Sequence, residues 1–149
     1  MTGTLPVCIG NASRIIEYMH FCGKEYVAVA ELHKDVGDEE LSKALAMFAG
    51  EIYQRPPLRS SVARRVRRRT IYYIDRLEVE ERRILLRIGC ESGTYIRKLI
   101  HDIGQILGVG AHMAELRRTR DGALTEAESL TLYDVAEAIQ ELRERKDES

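Results

Sequence analysis

The chain has 149 residues, 44% of them apolar and 32% charged, which suits one soluble globular domain able to bury a real core. A net charge of −1 hides a segregation: residues 1–50 carry 4 basic against 7 acidic groups (−3), residues 51–98 carry 13 against 6 (+7), and residues 99–149 carry 6 against 11 (−5). Every apolar run falls short of the roughly 18 residues a membrane-crossing helix needs, and the opening MTGTLPVCIG has no basic region ahead of its apolar residues, so neither a membrane span nor a secretory signal is expected.

Lys24 to Asp35 alternates, with Tyr26, Ala28, Ala30 and Leu32 on one side and Val27, Val29 and Glu31 on the other, which is the period of a strand. Asp38 is placed to cap a helix whose apolar face is Leu41, Ala44, Leu45 and Phe48 and which Gly50 ends. The prolines of YQRPPL forbid helix there. From Ser60 to Cys90 the pattern is strand. TIYYIDRLEV and RRILLRIGC flank a short turn at Glu80–Glu81, and Ile84, Leu86, Ile88 and Cys90 share a face, so an antiparallel hairpin is predicted. Ile96, Leu99, Ile100, Ile103 and Leu107 recur at helical spacing, giving a helix from Tyr95 to Leu107, capped by Ser92 or Thr94 and stopped by Gly108. HMAELRRTRDGALTE reads as a strand, an Asp-Gly turn and a return. Thr131 opens a last helix with Leu132, Val135, Ala136, Ile139 and Leu142 predicted inward, and residues 146–149 are expected to fray. Strands and hairpins interrupted by helices define an α+β fold: an antiparallel-rich mixed sheet with flanking helices.

Seven arginines in fifteen residues, Arg55 to Arg69, make the positive middle. In SSVARRVRRRT, Arg64 and Arg68 fall on one face of an extended chain and Arg65, Arg67 and Arg69 on the other. Charge on both faces suits either an edge strand protected against pairing or the wall of a groove. The stretch has no lysine. Arginine alone, beside the aromatic YYI, favours bidentate phosphate contacts and base stacking, and so points to RNA or DNA. His20, His33, His101 and His112 have no ligand-like spacing with one another or with Cys8, Cys22 and Cys90, and no metal site is expected. The odd number of cysteines, without C-x-x-C, reads as reduced, buried thiols of a cytosolic protein. No G-x-S-x-G, P-loop or dinucleotide fingerprint is present. Arg97 and Lys98 fall in the first turn of the Tyr95–Leu107 helix, where the dipole disfavours cations. Pattern alone leaves Arg97 either curling out to solvent or paired with a carboxylate, and leaves Tyr26 a core tyrosine.

GTYIRKLIHDIGQILGVGAHMAELRRTRDG closely resembles a motif of the TruB/dyskerin family of RNA pseudouridine synthases. The likeness continues through GEIYQRPPLRSSVARR and KEYVAVAEL back to TGTLPVCIGNASR, and so covers almost the whole chain. QRPPL and AHMAELRRTRDG are similar to the dyskerin-like branch of archaea and eukaryotes. The resemblance implies that residues 1–145 are most of a pseudouridine synthase catalytic domain. Such a domain isomerises uridine within RNA. An aspartate attacks the nucleotide, the glycosidic bond breaks, the base turns and a carbon–carbon bond replaces it, with no cofactor or metal. The target base must first be flipped out of the RNA. The implied site residues are Arg97, matching the arginine that pairs with the catalytic aspartate; Tyr26, matching a tyrosine that stacks on the base and moves a proton; and Leu116, matching a leucine that packs in the pocket. Implied partners are tRNA, through its T-loop uridine, or rRNA chosen by an H/ACA guide RNA, together with small accessory proteins of the guide particle. Arg64, Arg65, Arg67, Arg68 and Arg69 are assigned to RNA or to such partners. The implied localisation is cytoplasmic.

The family's aspartate belongs to a G-x-x-D-P segment lying just before the Thr-Gly that stands here as Thr2–Gly3, and no residue of this sequence matches it. Asp35, Asp38 and Asp102 lie outside that motif. Nor does any segment match the PUA domain, the RNA-binding module that follows the catalytic domain in the family. Two readings remain: a partial chain of a synthase, or a short protein that binds RNA or a partner without catalysis. Retention of Arg97 favours the first, and the chain alone is expected to lack synthase activity.

Overall fold

The structure, a computed structural model, describes residues 1–56 and 65–147. β1 (Thr2–Gly3) opens the chain, and a 3-10 turn (Gly10–Ile15) leads into α1 (Ile16–Phe21). Then come β2 (Lys24–Leu32), α2 (Asp38–Met47), β3 (Gly50–Gln54), β4 (Arg67–Glu80) and β5 (Arg83–Cys90). α3 (Ile96–Ile106), β6 (Ala111–Asp121), β7 (Leu124–Thr125), a 3-10 turn (Glu126–Glu128) and α4 (Leu132–Asp147) complete it. The strands form one sheet in the order β1-β6-β2-β5-β4-β3, with β7 pairing to β6 off that path. Among the described residues β1 and β6 run parallel and every other pairing is antiparallel, so the expected α+β class with an antiparallel-rich mixed sheet is the one that forms.

The core follows from the strand and helix periods. Alternation puts Ala28, Ala30 and Leu32 of β2 and Ile84, Leu86, Ile88 and Cys90 of β5 on one face of the sheet. α3 covers that face with Ile96, Leu99, Ile100 and Ile103, and α2 adds Leu41, Ala44 and Leu45. α3 sits very close to the start of β6. A Cβ at Gly104 would lie 2.2 Å from the Ala111 nitrogen, so only glycine permits the approach. The Gly104 carbonyl then accepts from the N–H groups of Val109 and Gly110, which ties the end of the helix to the turn that starts β6.

Several expectations are corrected. β2 ends at Leu32 rather than Asp35, because the His33 N–H turns to the Gly110 carbonyl at 3.0 Å. The β4–β5 turn is Glu81–Arg82, one residue later than expected, with Glu81 taking φ +52. Asp38 is the first residue of α2 and not its cap; Gly37 holds the cap position, and the Asp38 carboxylate pairs with Arg76 at 2.5 Å. Neither Ser92 nor Thr94 caps α3. Ser92 donates to the His20 carbonyl, Thr94 to the Glu91 carbonyl at 2.6 Å, and Tyr95 stands at the cap. Arg67 to Arg69 are not at an edge, since β3 pairs with them through Gln54, Tyr53 and Ile52.

α4 begins as expected, with Thr131 and Asp134 hydrogen-bonding reciprocally, and runs through Asp147. Its apolar side is not inward. Leu132, Val135, Ala136, Ile139 and Leu142 are exposed, because α2 and α3 already fill the covered face of the sheet and no described element lies over α4. Cys90 is buried as expected, and burial pushes its thiol up to about 11; Cys8 and Cys22 are only half-buried. No helix among the described residues is long and apolar enough to cross a membrane.

Candidate functional site

A cavity of about 1050 Å³ opens between the first turn of α3 and the adjoining strands β2 and β6. Tyr26, Arg97 and Leu116 all line it. They come from three separate elements, and each arrives by a local rule. Tyr26 continues the inward side of β2 past Ala28, to where the helices no longer cover the sheet, and so is half-buried. Leu116 stands opposite Ala28 on β6, on the same face. Arg97 is the second residue of α3 and lies exposed at the rim.

β6 does not keep a simple alternation. Its register against β2 shifts twice, between Val29 and Ala30 and between Glu25 and Tyr26. The first bulge lets Met113 and Leu116, three residues apart, both face the core side opposite Ala30 and Ala28. The second sets Arg118 opposite Tyr26 and Asp121 opposite Lys24. Burial is the largest influence on the Tyr26 phenol and raises its pKa above the ordinary tyrosine value; the buried Cys90 adds to that, and a hydrogen bond and the charge of Arg118 pull the other way.

The start of α3 is held from outside the helix. Gln54, 2% exposed, grips the cap residue with both ends of its amide: the Tyr95 N–H donates to Gln54 Oε1 at 2.9 Å and Gln54 Nε2 donates to the Tyr95 carbonyl at 3.1 Å. The first turn carries no acidic residue. Lys98 meets the dipole penalty by pairing with Asp102 one turn on. Among the described residues Arg97 has no such partner, so an unpaired guanidinium and a helix N-terminus point at the same space. Arg55 and Lys98 also line the cavity, and Glu115 is its sole acid among the described residues. The arrangement favours an anionic occupant: a carboxylate, a phosphate, or both.

The arginine stripe is split by the sheet. Arg65 is exposed, and so is Arg68, which pairs with Glu51 at 2.9 Å. Arg67 is half-buried opposite Gln54. Arg69 is turned inward against the loop before α3: Nη1 donates to the Arg68 carbonyl at 2.8 Å and lies 3.6 Å from Glu91, and a Cβ on Gly93 would be 3.0 Å from Nη2. Arg69 therefore braces the loop as well as adding charge. Arg64 lies outside the described residues. No group of three or more His, Cys, Asp or Glu side chains among the described residues could hold a metal ion.

Sequence reasoning missed Gln54, Lys24, Arg55, Arg118 and Asp121 as parts of the site. Gln54 and Arg55 stand in QRPPL, read only as a helix-breaking stretch. The signal for Arg118 and Asp121 was a buried Asp in an Asp-Gly turn, which needs a cation, but the bulge that joins them leaves no mark in a two-residue period.

Two family models match the chain: one described as Pus10, C-terminal, over residues 10–109, and one described as the tRNA pseudouridylate synthase B C-terminal domain, over residues 97–149. A probable tRNA pseudouridine synthase B of Methanopyrus kandleri is 56% identical over 140 residues, covering 94% of this chain and 41% of the relative. The protein of the same description from Saccharolobus solfataricus is 53% identical over 146 residues, covering 97% of this chain and 58% of the relative. Among solved structures, a Cbf5-Nop10-Gar1 complex contains a chain that superimposes with a TM-score of 0.85 at 54% identity, over 89% of this chain and 40% of that one. An H/ACA RNP bound to a substrate RNA containing 2'-deoxyuridine gives a TM-score of 0.80 at 44% identity, over 91% and 40%. The chain thus spans about half or less of most of these relatives.

Proposed function

We propose, since this chain belongs to the TruB/dyskerin family of RNA pseudouridine synthases, that it forms most of a catalytic domain converting uridine to pseudouridine within RNA. The reaction is an isomerisation. The bond from C1′ to N1 breaks, the bond from C1′ to C5 forms, and the proton lost from C5 is balanced by one gained at N1. The reading is supported above all by one observation: Tyr26, Arg97 and Leu116, drawn from three elements, line a single cavity of nucleotide size. Tyr26 stacks on the flipped base and moves a proton. Leu116 packs against the base from β6. Arg97 pairs with the carboxylate of the aspartate nucleophile, which explains a cation in the first turn of α3 with no described partner of its own. That aspartate is supplied by a G-x-x-D-P segment next to the Thr2–Gly3 strand, and a PUA domain completes RNA binding. Arg64, Arg65, Arg67 and Arg68 hold the RNA backbone, with Arg69 contributing charge from its braced position. The target is a tRNA T-loop uridine or an rRNA uridine selected by an H/ACA guide RNA, in the second case with small accessory proteins, and the protein works in the cytoplasm.

The test is binding with a flipping reporter. A stem-loop RNA with 2-aminopurine beside an unpaired uridine is titrated with the chain. Fluorescence rises as the neighbouring base unstacks, and the rise is lost in Tyr26→Ala. Binding without any change in fluorescence, or an equal rise in Tyr26→Ala, overturns the reading of this cavity as the base pocket.

A further inference from the structure

We propose that Arg118 is a positioning residue which, braced by Asp121 and the Thr4 carbonyl, fixes the Tyr26 phenol and turns its hydroxyl proton toward the cavity. Its consequence for proton movement rests on the synthase reading above; the geometry stands without it.

The second bulge in β6 is what builds the arrangement. On a regular strand, residues three apart face opposite sides of the sheet. Arg118 and Asp121 would then be unable to meet. Here Tyr26 is opposite Arg118 while Glu25 is opposite Arg120, so Thr119 is the extra residue. Thr119 and Arg120 both serve the far face of the sheet: Thr119 Oγ1 donates to Glu25 Oε1 at 2.8 Å, and Arg120 Nη2 donates to the Tyr73 hydroxyl at 3.2 Å. Asp121 is thereby returned to the face of Tyr26, opposite Lys24.

The result is a row of charges at the inner end of the site. Asp121 is 5% exposed and takes Lys24 Nζ on one oxygen at 2.5 Å and Arg118 Nη1 on the other at 3.3 Å. Lys24 also donates to the Met19 carbonyl at 3.0 Å. Arg118 donates from Nε to the Thr4 carbonyl at 2.8 Å and hydrogen-bonds Tyr26. Two cations share one carboxylate, so the row keeps an excess positive charge beside the phenol. A largely desolvated ion row of this kind is poor value as a stabiliser, since an apolar replacement commonly does as well. Its specific product is geometry. A guanidinium only donates, so the Tyr26 oxygen must accept, and the phenol proton is left to point elsewhere. The open side of Tyr26 is the cavity. In the isomerisation a proton leaves C5, and a phenol whose ionised form is favoured by a fixed neighbouring cation carries it more readily than one that is merely buried.

The experiment reads the phenol directly. The chain is produced with 3-fluorotyrosine, whose phenol titrates lower than that of tyrosine, and the 19F signal missing from Tyr26→Phe is followed against pH. In Arg118→Gln the Tyr26 midpoint shifts upward while the fold, checked by circular dichroism, persists. An unchanged or lowered midpoint in folded Arg118→Gln overturns the proposal. Should that variant fail to fold, Arg118→Lys is read in the same way: it keeps a charge for Asp121 but lacks the fork that reaches Thr4 and Tyr26 together, so an upward shift supports the proposal and no shift overturns it. A purely structural role would lower the melting temperature and leave the titration where it was. No RNA enters this measurement, so its failure is distinct from failure of the synthase reading, which the RNA titration tests.

Discussion

Replacing Gln54 by alanine should loosen the functional helix at its first turn. In the native protein the buried Gln54 amide makes two hydrogen bonds to the backbone of Tyr95, at 2.9 and 3.1 Å, and no side chain of α3 caps its own N-terminus. Each bond contributes about 1 kcal/mol net, and stranding the Tyr95 N–H in a part-buried position costs about 1 kcal/mol more, so the loss is about 3 kcal/mol. For a chain of this size that lowers Tm by roughly 6–12 °C. Urea unfolding followed by circular dichroism gives the free energy, and amide hydrogen exchange at Tyr95 to Leu99 shows whether the opening is local to the first turn. Gln54→Glu gives a graded control, because the carboxylate still accepts from the Tyr95 N–H but repels the carbonyl, and so should fall between the wild type and alanine. A loss below about 0.5 kcal/mol in Gln54→Ala, the range of an ordinary surface change, would refute the claim that this residue holds the helix.

Gly104→Ala puts a methyl group where the Ala111 backbone already stands, 2.2 Å away, and should cost about 2–3 kcal/mol by separating α3 from β6; an unchanged urea midpoint would contradict that packing. Changing the exposed pair Arg65 and Arg68 to alanine together should weaken RNA binding and flatten the plot of log K against log salt by about 1.5, from two lost phosphate contacts, whereas an unaltered slope would assign them to surface solvation alone. Burial by itself would raise the Glu25 carboxyl, but hydrogen bonds from Tyr73 and Thr119 and the charges of Arg120 and Arg87 outweigh it and lower the pKa. A carboxylate lowered on folding adds stability above its unfolded value and loses it as the pH falls through the folded one. The melting temperature of the wild type should therefore drop faster than that of Glu25→Gln below the ordinary glutamate value of 4.5, and parallel curves would contradict the assignment.

Most of the fold could be read from period alone. β2 and β5 alternate, α3 repeats at helical spacing, and each buries the face its pattern predicted, because a residue deep in a sheet or helix has little freedom but to follow the backbone. Ends were read less well. Asp38, Ser92 and Thr94 are good cap residues that do other work here, since an ion pair with Arg76 and carbonyls from the neighbouring loops compete for the same side chains. α4 has a helical apolar stripe, yet local pattern does not say whether a partner lies within reach, and none does among the described residues. Tyr26, Arg97 and Leu116 were legible through resemblance and not through pattern, where each has an ordinary structural explanation. The supporting residues stayed hidden for a physical reason. Gln54 acts across a gap of 41 residues, and the Arg118–Asp121 pair depends on a bulge that reverses which side of the strand a residue faces.

The most direct test of the account is tritium release from RNA carrying [5-3H]uridine. The chain is assayed alone, then with a G-x-x-D-P segment restored in cis ahead of Thr2, then with the same segment and Arg97→Ala. The account predicts no release from the chain alone, release from the restored protein, and loss of that release when Arg97 is removed. Release from the chain alone, or equal release from the restored protein with and without Arg97, would contradict it.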